Sequence, residues 1–243
     1  VAYISSESFQ LYADEVGADY LYSNEAVYTK EHIQRDNCVP LFECLRVIYD
    51  TSFDKYDKVL FVDTDVVANT HENIFEVSES EVYGVLESDI RTETSGGYNT
   101  WDYDQKVYRQ FCEKYEHHGV PLVPSLPPNH PSKLTVLNTG VVVWTRDARL
   151  RARELFDDWT EWYFTGPQMH MSVMNDQPFI SGQLMKHDFD LGTLDQTWND
   201  TPTHYHDPDG EKALGANFLH YTGGGNKMTM IDQYNRGLFS IFS

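Results

Sequence analysis

Cysteine, positive charge and long apolar runs are all scarce in this chain of 243 residues. Three cysteines, Cys38, Cys44 and Cys112, are too few and too scattered for a disulfide framework or a zinc site of C-x-x-C type. That scarcity fits a reducing compartment, and a cytoplasmic location is the expectation. Lys and Arg number 18 against 38 Asp and Glu, a formal charge of -20, which repels nucleic-acid backbones and anionic membrane surfaces at long range. Nucleic acid is therefore not an expected partner. No apolar run approaches the ~20 residues of a membrane span. The opening Val1-Ala2-Tyr3-Ile4-Ser5 reads as a strand and not as a charged leader with an apolar region. A start without Met fits a chain trimmed or cut from a larger multidomain protein. Internal repeats, low-complexity tracts and clear linkers are also missing.

What is present is enough for a core: 40% of the residues are hydrophobic, and the length suits a single compact domain over 1–243. Strand and helix patterns alternate. Val1–Ile4 reads as a strand and Glu7–Val16 as a helix, with Ser5 or Ser6 to cap it and Gly17 to stop it before a strand at Asp19-Tyr20-Leu21-Tyr22. Helical spacing returns from Pro40 to Tyr49, and Ala148–Tyr163 reads as one amphipathic helix. Further strands are expected at Val82–Leu86, at Leu134–Trp144 with an interruption at Asn138-Thr139-Gly140, and at Phe218–Tyr221. The alternation predicts an α/β fold with a mostly parallel central sheet flanked by helices. Between Arg91 and Lys133 the pattern fails, apart from a helix near Gln105–Tyr115, and so long an irregular segment predicts a lid or binding loop.

Lys58-Val59-Leu60-Phe61-Val62 reads as a central strand that runs into Asp63-Thr64-Asp65. Ligands of open α/β sheets bind at that end of a strand. On an extended segment Asp63 and Asp65 would point the same way and could share a hard divalent cation. A solvated loop or a helix N-cap is the plain alternative. The acidic balance strengthens the metal reading, because an anionic ligand such as a nucleoside diphosphate would need a cation to offset the field.

Taken with the D-x-D strand, three later segments form an ordered set: Leu137-Asn138-Thr139-Gly140-Val141, Asn175-Asp176-Gln177-Pro178-Phe179, and Phe218-Leu219-His220-Tyr221-Thr222-Gly223 followed by Lys227. This set resembles the GT-A glycosyltransferases of the glycogenin-like, galactosyltransferase-like group known as glycosyltransferase family 8. The resemblance spans about 1–230 and implies a GT-A fold, a UDP-sugar donor held through its diphosphate by Mn2+ or Mg2+, and a carbohydrate or glycoconjugate acceptor. It implies metal ligation by Asp63, Asp65 and His220, a set whose two carboxylates and imidazole suit such a cation. Donor nucleotide and diphosphate contacts are implied at Ser5, Ser6, Thr64, Gly223, Gly224 and Lys227. Asn138, Thr139 and Gly140 would contact sugar and acceptor, and Asp176 with Gln177 would lie beside the anomeric carbon as catalytic residues. These two segments could also be ordinary turn and cap residues, and Gly223-Gly224-Gly225 a flexible turn.

The chain departs from the family in three places. Lys227 follows His220 by seven residues where six is usual, Met228-Thr229 replaces the usual Pro-Trp, and Cys44 stands where a diphosphate-facing lysine is expected, leaving Arg46 as the substitute. Trp198, with Tyr98, Trp101 and Tyr103, could stack on sugar rings or anchor loops. The sequon Asn199-Asp200-Thr201 is expected to be unused. The resemblance implies retention of anomeric configuration. A haloacid-dehalogenase-like phosphohydrolase is the rival enzyme, although it lacks a later Gly-Asp-x-x-x-Asp segment here, and a nucleotide-sugar-binding pseudoenzyme is the non-catalytic rival.

Overall fold

The computed structural model describes residues 1–32, 39–86, 110, 112–120, 136–167, 176–202 and 214–243. A mixed sheet forms its centre. In it β1 (Lys58–Val62) and β3 (Val82–Leu86) pair antiparallel with opposite edges of β4 (Leu137–Thr145), and β3 also pairs parallel with β5 (Leu191–Thr193). A two-stranded antiparallel unit, β2 (Val66–Ala68) with β6 (Phe218–His220), lies beside it. The expectation of a mostly parallel sheet is thus corrected. Val-rich runs buried on both faces look alike in either direction, so composition carried the strands but not their sense.

Alternation along the strands builds two cores. Val59 and Phe61 of β1 pack with Val142 and Trp144 of β4 on one face, where α2 (Arg46–Tyr49), α3 (Arg146–Leu155), α4 (Trp159–Phe164) and α5 (Asp176–Lys186) supply Ile48, Ala152, Trp162 and Phe179. Leu60 and Val62 face the other way with Val141 and Val143, toward Phe9 and Tyr12 of α1 (Ala2–Val16), Phe218 of β6 and Met230 of α6 (Gly223–Asn235). Helices on both faces of a sheet make a three-layer α/β domain.

Several expectations change. Val1–Ile4 is not a strand: Ala2 to Val16 is one helix, because Ile4, Phe9, Tyr12 and Ala13 share a buried stripe, and the Ala68 N–H of β2 donates to Ser8 Oγ at 3.1 Å. Ser5 and Ser6 therefore lie inside a helix instead of capping it. Asp19–Tyr22 forms no strand. The helix expected over 148–163 is two, since Asp158 accepts from Thr160 N and starts α4 afresh. β1 occupies an edge of the described sheet instead of its centre and is only half-buried along its length. Residues 87–109, 121–135 and 168–175 fall outside the description, and with them the expected lid, most of the Gln105 helix, Tyr98, Trp101, Tyr103 and Asn175.

One cluster of positive charge is taken up by pairing within the fold. Arg149 is 1% exposed and donates to Phe53 O and Tyr56 O, Arg153 pairs with Asp54, Arg151 with Glu81 and Arg146 with Asp57. These arginines of α3 tie loops together.

Candidate functional site

β1 ends at Val62, and Asp63-Thr64-Asp65 forms a tight turn in which Val66 N–H donates to Asp63 O at 3.2 Å. The acidic pair is therefore not extended, as the spacing argument assumed. It converges instead because Tyr221 N–H donates to Asp65 O at 2.9 Å, which draws the end of β6 onto the turn. His220 Nε2 then lies 3.3 Å from Asp65 Oδ1 and 3.9 Å from Asp63 Oδ2. One ligand atom from each of the three residues falls within 4.8 Å of the others. Thr64 projects outward and is exposed.

The orientation of His220 follows from a chain of hydrogen bonds. Gly140 N–H, which can only donate, meets Asn138 Oδ1 at 2.9 Å, and Asn199 Nδ2 donates to the same oxygen at 2.8 Å. Asn199 Oδ1 is consequently the atom that faces His220 Nδ1, 2.9 Å away, and Nδ1 carries the proton. Nε2 is left toward the two carboxylates, either sharing a proton with Asp65 or offering its lone pair to a cation. A ring so held by its other nitrogen is the usual setting of a metal-binding histidine. Two carboxylates and this imidazole could hold a divalent metal ion by donor chemistry.

The geometry rests on a bulge. Between the pairs Gly84–Val142 and Leu86–Leu137 the register of β3 against β4 shifts, so that β4 spends five residues where β3 spends two. The expected interruption at Asn138-Thr139-Gly140 is this bulge within a continuous strand, and it re-aims three side-chain positions. Asn138 and Thr139 are 3% and 4% exposed. Asn138 turns to Asn199, while the Thr139 hydroxyl donates to Asp176 Oδ2. At Gly140 the His220 ring sits against the backbone where a Cβ would be.

Asp176 opens α5 and is 4% exposed, with Gln177 at 5% beside it. Burial pushes the Asp176 carboxyl up to about 7, with the Thr139 hydroxyl opposing and the charge of Asp63 adding. Oδ1 is enclosed and lacks a hydrogen bond of ordinary geometry among the described residues, while the backbone N–H groups of Asp176 and Gln177 at the start of α5 still favour the ionised carboxyl. Asp63 is pushed up to about 6 by desolvation, against the pull of His220 and with repulsion from Asp65. Its side chain keeps 46% exposure, so solvent limits that rise. Asp65 goes the other way. Burial opposes its ionisation, but His220 and Lys227 together hold it below the usual carboxylate range.

Lys227 Nζ lies 3.2 Å from Asp65 Oδ2. The glycine run expected to be a loop is instead the first turn of α6, whose N-cap Thr222 makes no side-chain capping bond. Its N–H groups remain oriented as at any helix start, a favourable place for an anion.

Other expected contacts go elsewhere. Ser5 O accepts from Ser8 Oγ and Ser6 Oγ from Tyr20 OH, so both serve the packing of α1. Arg46 pairs with Asp50 at 3.1 Å and lies over the Phe53 ring, engaged away from the cluster. Trp198 is 4% exposed and edge-on to Phe218, a core residue and not a sugar platform. Two site residues were missed. Asn199, noted only as a sequon, is the partner of His220, and Cys44, noted only as a departure, reaches Asp176 at 3.8 Å.

The fold is of GT-A type. Over 96% of its length the chain superposes on 92% of a glycosyltransferase involved in the glycosylation of the major capsid of PBCV-1, with 13% identity and a TM-score of 0.52. Weaker matches are mouse xyloside xylosyltransferase 1 (13% identity, 91% of this chain and 73% of that one, TM-score 0.39) and the bifunctional glycosyltransferase WbbM (14%, 82% and 37%, TM-score 0.37). No family model matches the sequence, nor does any curated protein.

Proposed function

We propose that this chain is a metal-dependent glycosyltransferase that moves a hexosyl or pentosyl group from a UDP-sugar to a carbohydrate or glycoconjugate, with retention of configuration. The observation that carries the reading is the Asp63, Asp65 and His220 cluster, with Lys227 against Asp65 and the start of α6 directly after β6. Mn2+ or Mg2+ bound there would offset the negative charge of a diphosphate and stabilise it as a leaving group. The chain's own part is electrostatic. Lys227 adds a point charge and the first turn of α6 adds N–H donors through Gly223 and Gly224, both fixed before any charge develops.

Asp176 and Gln177 would then border the transferred sugar. A carboxyl pushed up to about 7 is divided between acid and carboxylate near neutrality. It suits a hydrogen-bonding partner of the sugar better than a permanently ionised nucleophile. The phosphohydrolase reading is not favoured, because the fold is that of glycosyltransferases. A cytoplasmic setting, suggested by the free thiols of Cys44 and Cys112, and a single catalytic unit over 1–243, within a larger protein or not, belong to the same proposal.

Calorimetric titration with UDP, with and without Mn2+, is the test. Binding that needs the metal and is lost in Asp65→Ala with an unchanged melting curve supports the reading. Equal binding by the mutant overturns it.

A further inference from the structure

Tyr221 stands between the acidic cluster and α6, directly after His220 and directly before the N-cap Thr222. Its backbone N–H donates to Asp65 O at 2.9 Å and so holds the acidic turn. Its phenol donates to Gln233 Oε1, twelve residues on and about three turns into α6. Both residues are 0% exposed. One residue therefore grips the turn that carries Asp63 and Asp65 with its backbone and the helix that carries Lys227 with its side chain.

The bond is polar in an apolar setting. Tyr221 belongs to the core that includes Met230, Phe239 and Ile241, with the Phe239 ring edge-on to its own. A phenol and an amide must each give up water to enter such a core, and apolar side chains would pack there without that cost. Apolar contacts, however, are non-directional and let a helix turn about its axis, whereas a buried hydrogen bond holds one rotation. Thr222 adds no side-chain cap of its own. Lys227 leaves α6 between Tyr221 and Gln233, and its Nζ lies 3.2 Å from Asp65 Oδ2. The rotation of α6 thus decides where that charge sits against the cluster.

Resting on the UDP-sugar reading above, we propose that Tyr221 and Gln233 are a positioning pair. They fix the rotation of α6 relative to the Asp63–Asp65 turn, so that Lys227 and the first-turn N–H groups meet a diphosphate bound at the Asp63, Asp65 and His220 cluster. Both side chains are sealed from solvent and act through Lys227 and the helix start. Breaking the bond leaves the metal ligands in place, because the backbone link from Tyr221 to Asp65 and the pairing of β2 with β6 remain.

The test is calorimetry on the whole chain, with Mn2+ alone and then with UDP in saturating Mn2+. Tyr221→Phe should keep Mn2+ affinity within about twofold and weaken UDP binding about tenfold. Lys227→Ala should also weaken UDP about tenfold, and the two substitutions together should do little worse than about tenfold, because they remove one shared contribution. Tyr221→Phe with Gln233→Met removes both halves of the bond. It should melt closer to the wild type than Tyr221→Phe does, yet still bind UDP about tenfold more weakly, and it takes the place of Tyr221→Phe if that variant does not fold. UDP affinity that recovers along with the melting temperature, wild-type UDP binding in Tyr221→Phe, or losses that multiply when Lys227→Ala is added would each overturn the proposal. UDP failing to bind the wild-type protein would instead overturn the donor reading beneath it, so the two failures are distinct.

Discussion

The His220 imidazole rests on the α-carbon of Gly140, so close that a Cβ at residue 140 would run into Cε1 and Nδ1 of the ring. Glycine is therefore required at this point of β4 by what lies against it. Gly140→Ala is expected to push the ring off Asn199 and away from Asp65. Metal affinity should fall about 10–100-fold, and stability by about 1–3 kcal/mol. Mn2+ titration together with thermal melting checks both, and an unchanged Mn2+ affinity would show that the ring's seat on residue 140 is immaterial.

Asn199 is fully buried and links His220 to Asn138. Asn199→Leu removes the acceptor for Nδ1–H and leaves the imidazole free to adopt the other tautomer. A loss of about 10–100-fold in Mn2+-dependent UDP affinity is expected, together with about 1–3 kcal/mol of stability from the buried groups left unpaired. The same burial leaves no room for a glycan on Asn199 in the folded chain. Intact-mass measurement of the chain made in a secretory host should show no glycan on Asn199.

Asp176 gives stability a pH dependence of known sign. Its carboxyl is pushed up to about 7 in the fold, chiefly by burial, against an ordinary value of 3.8. Between these limits the unfolded chain has released the proton and the folded chain keeps it, so this group's contribution to stability falls as pH rises from about 4 to about 7. Asp176→Asn removes that slope. Denaturant titrations should show the mutant gaining about 4 kcal/mol on the wild type between pH 4 and pH 8, and parallel curves would contradict the burial argument.

Trp198 and Arg46 separate packing from binding. Trp198→Ala opens a hole against Phe218 and should cost about 3–5 kcal/mol. Arg46→Gln breaks a partly exposed pair with Asp50 and should cost less than about 1 kcal/mol, with metal-dependent UDP binding unaltered. Weaker UDP binding in Arg46→Gln would restore it to the site.

The strands were legible in the sequence because buried apolar runs of five or so residues announce themselves, and β1, β3, β4 and β6 all lie where those runs predicted. Direction and partner were not, since β1 and β4 read the same whichever way they are paired. Val1–Ile4 failed for a related reason. Four apolar or small residues carry no period, and only the longer stripe through Phe9 and Tyr12 reveals the helix. At the site, the residue types that make the cluster were readable as a set in order. Cys44 and Asn199 were not, because a thiol's reach to Asp176 and an amide's link to His220 depend on how turns and strands cross. The aromatic at 198 misled for the opposite reason, as its side chain serves a core and a platform equally well on paper.

The pairing of β2 with β6 joins residues 66–68 to residues 218–220, far apart along the chain. Closing so long a loop comes late in folding, because its entropy cost precedes any reward from the contacts it permits. Asp63 and Asp65 are laid down early during synthesis, yet they have no imidazole beside them until the last strand arrives. The appearance of a divalent-cation site thus marks completion of a long-range strand pairing, and a growing polypeptide halted before β6 would hold the acidic turn without the histidine it belongs with.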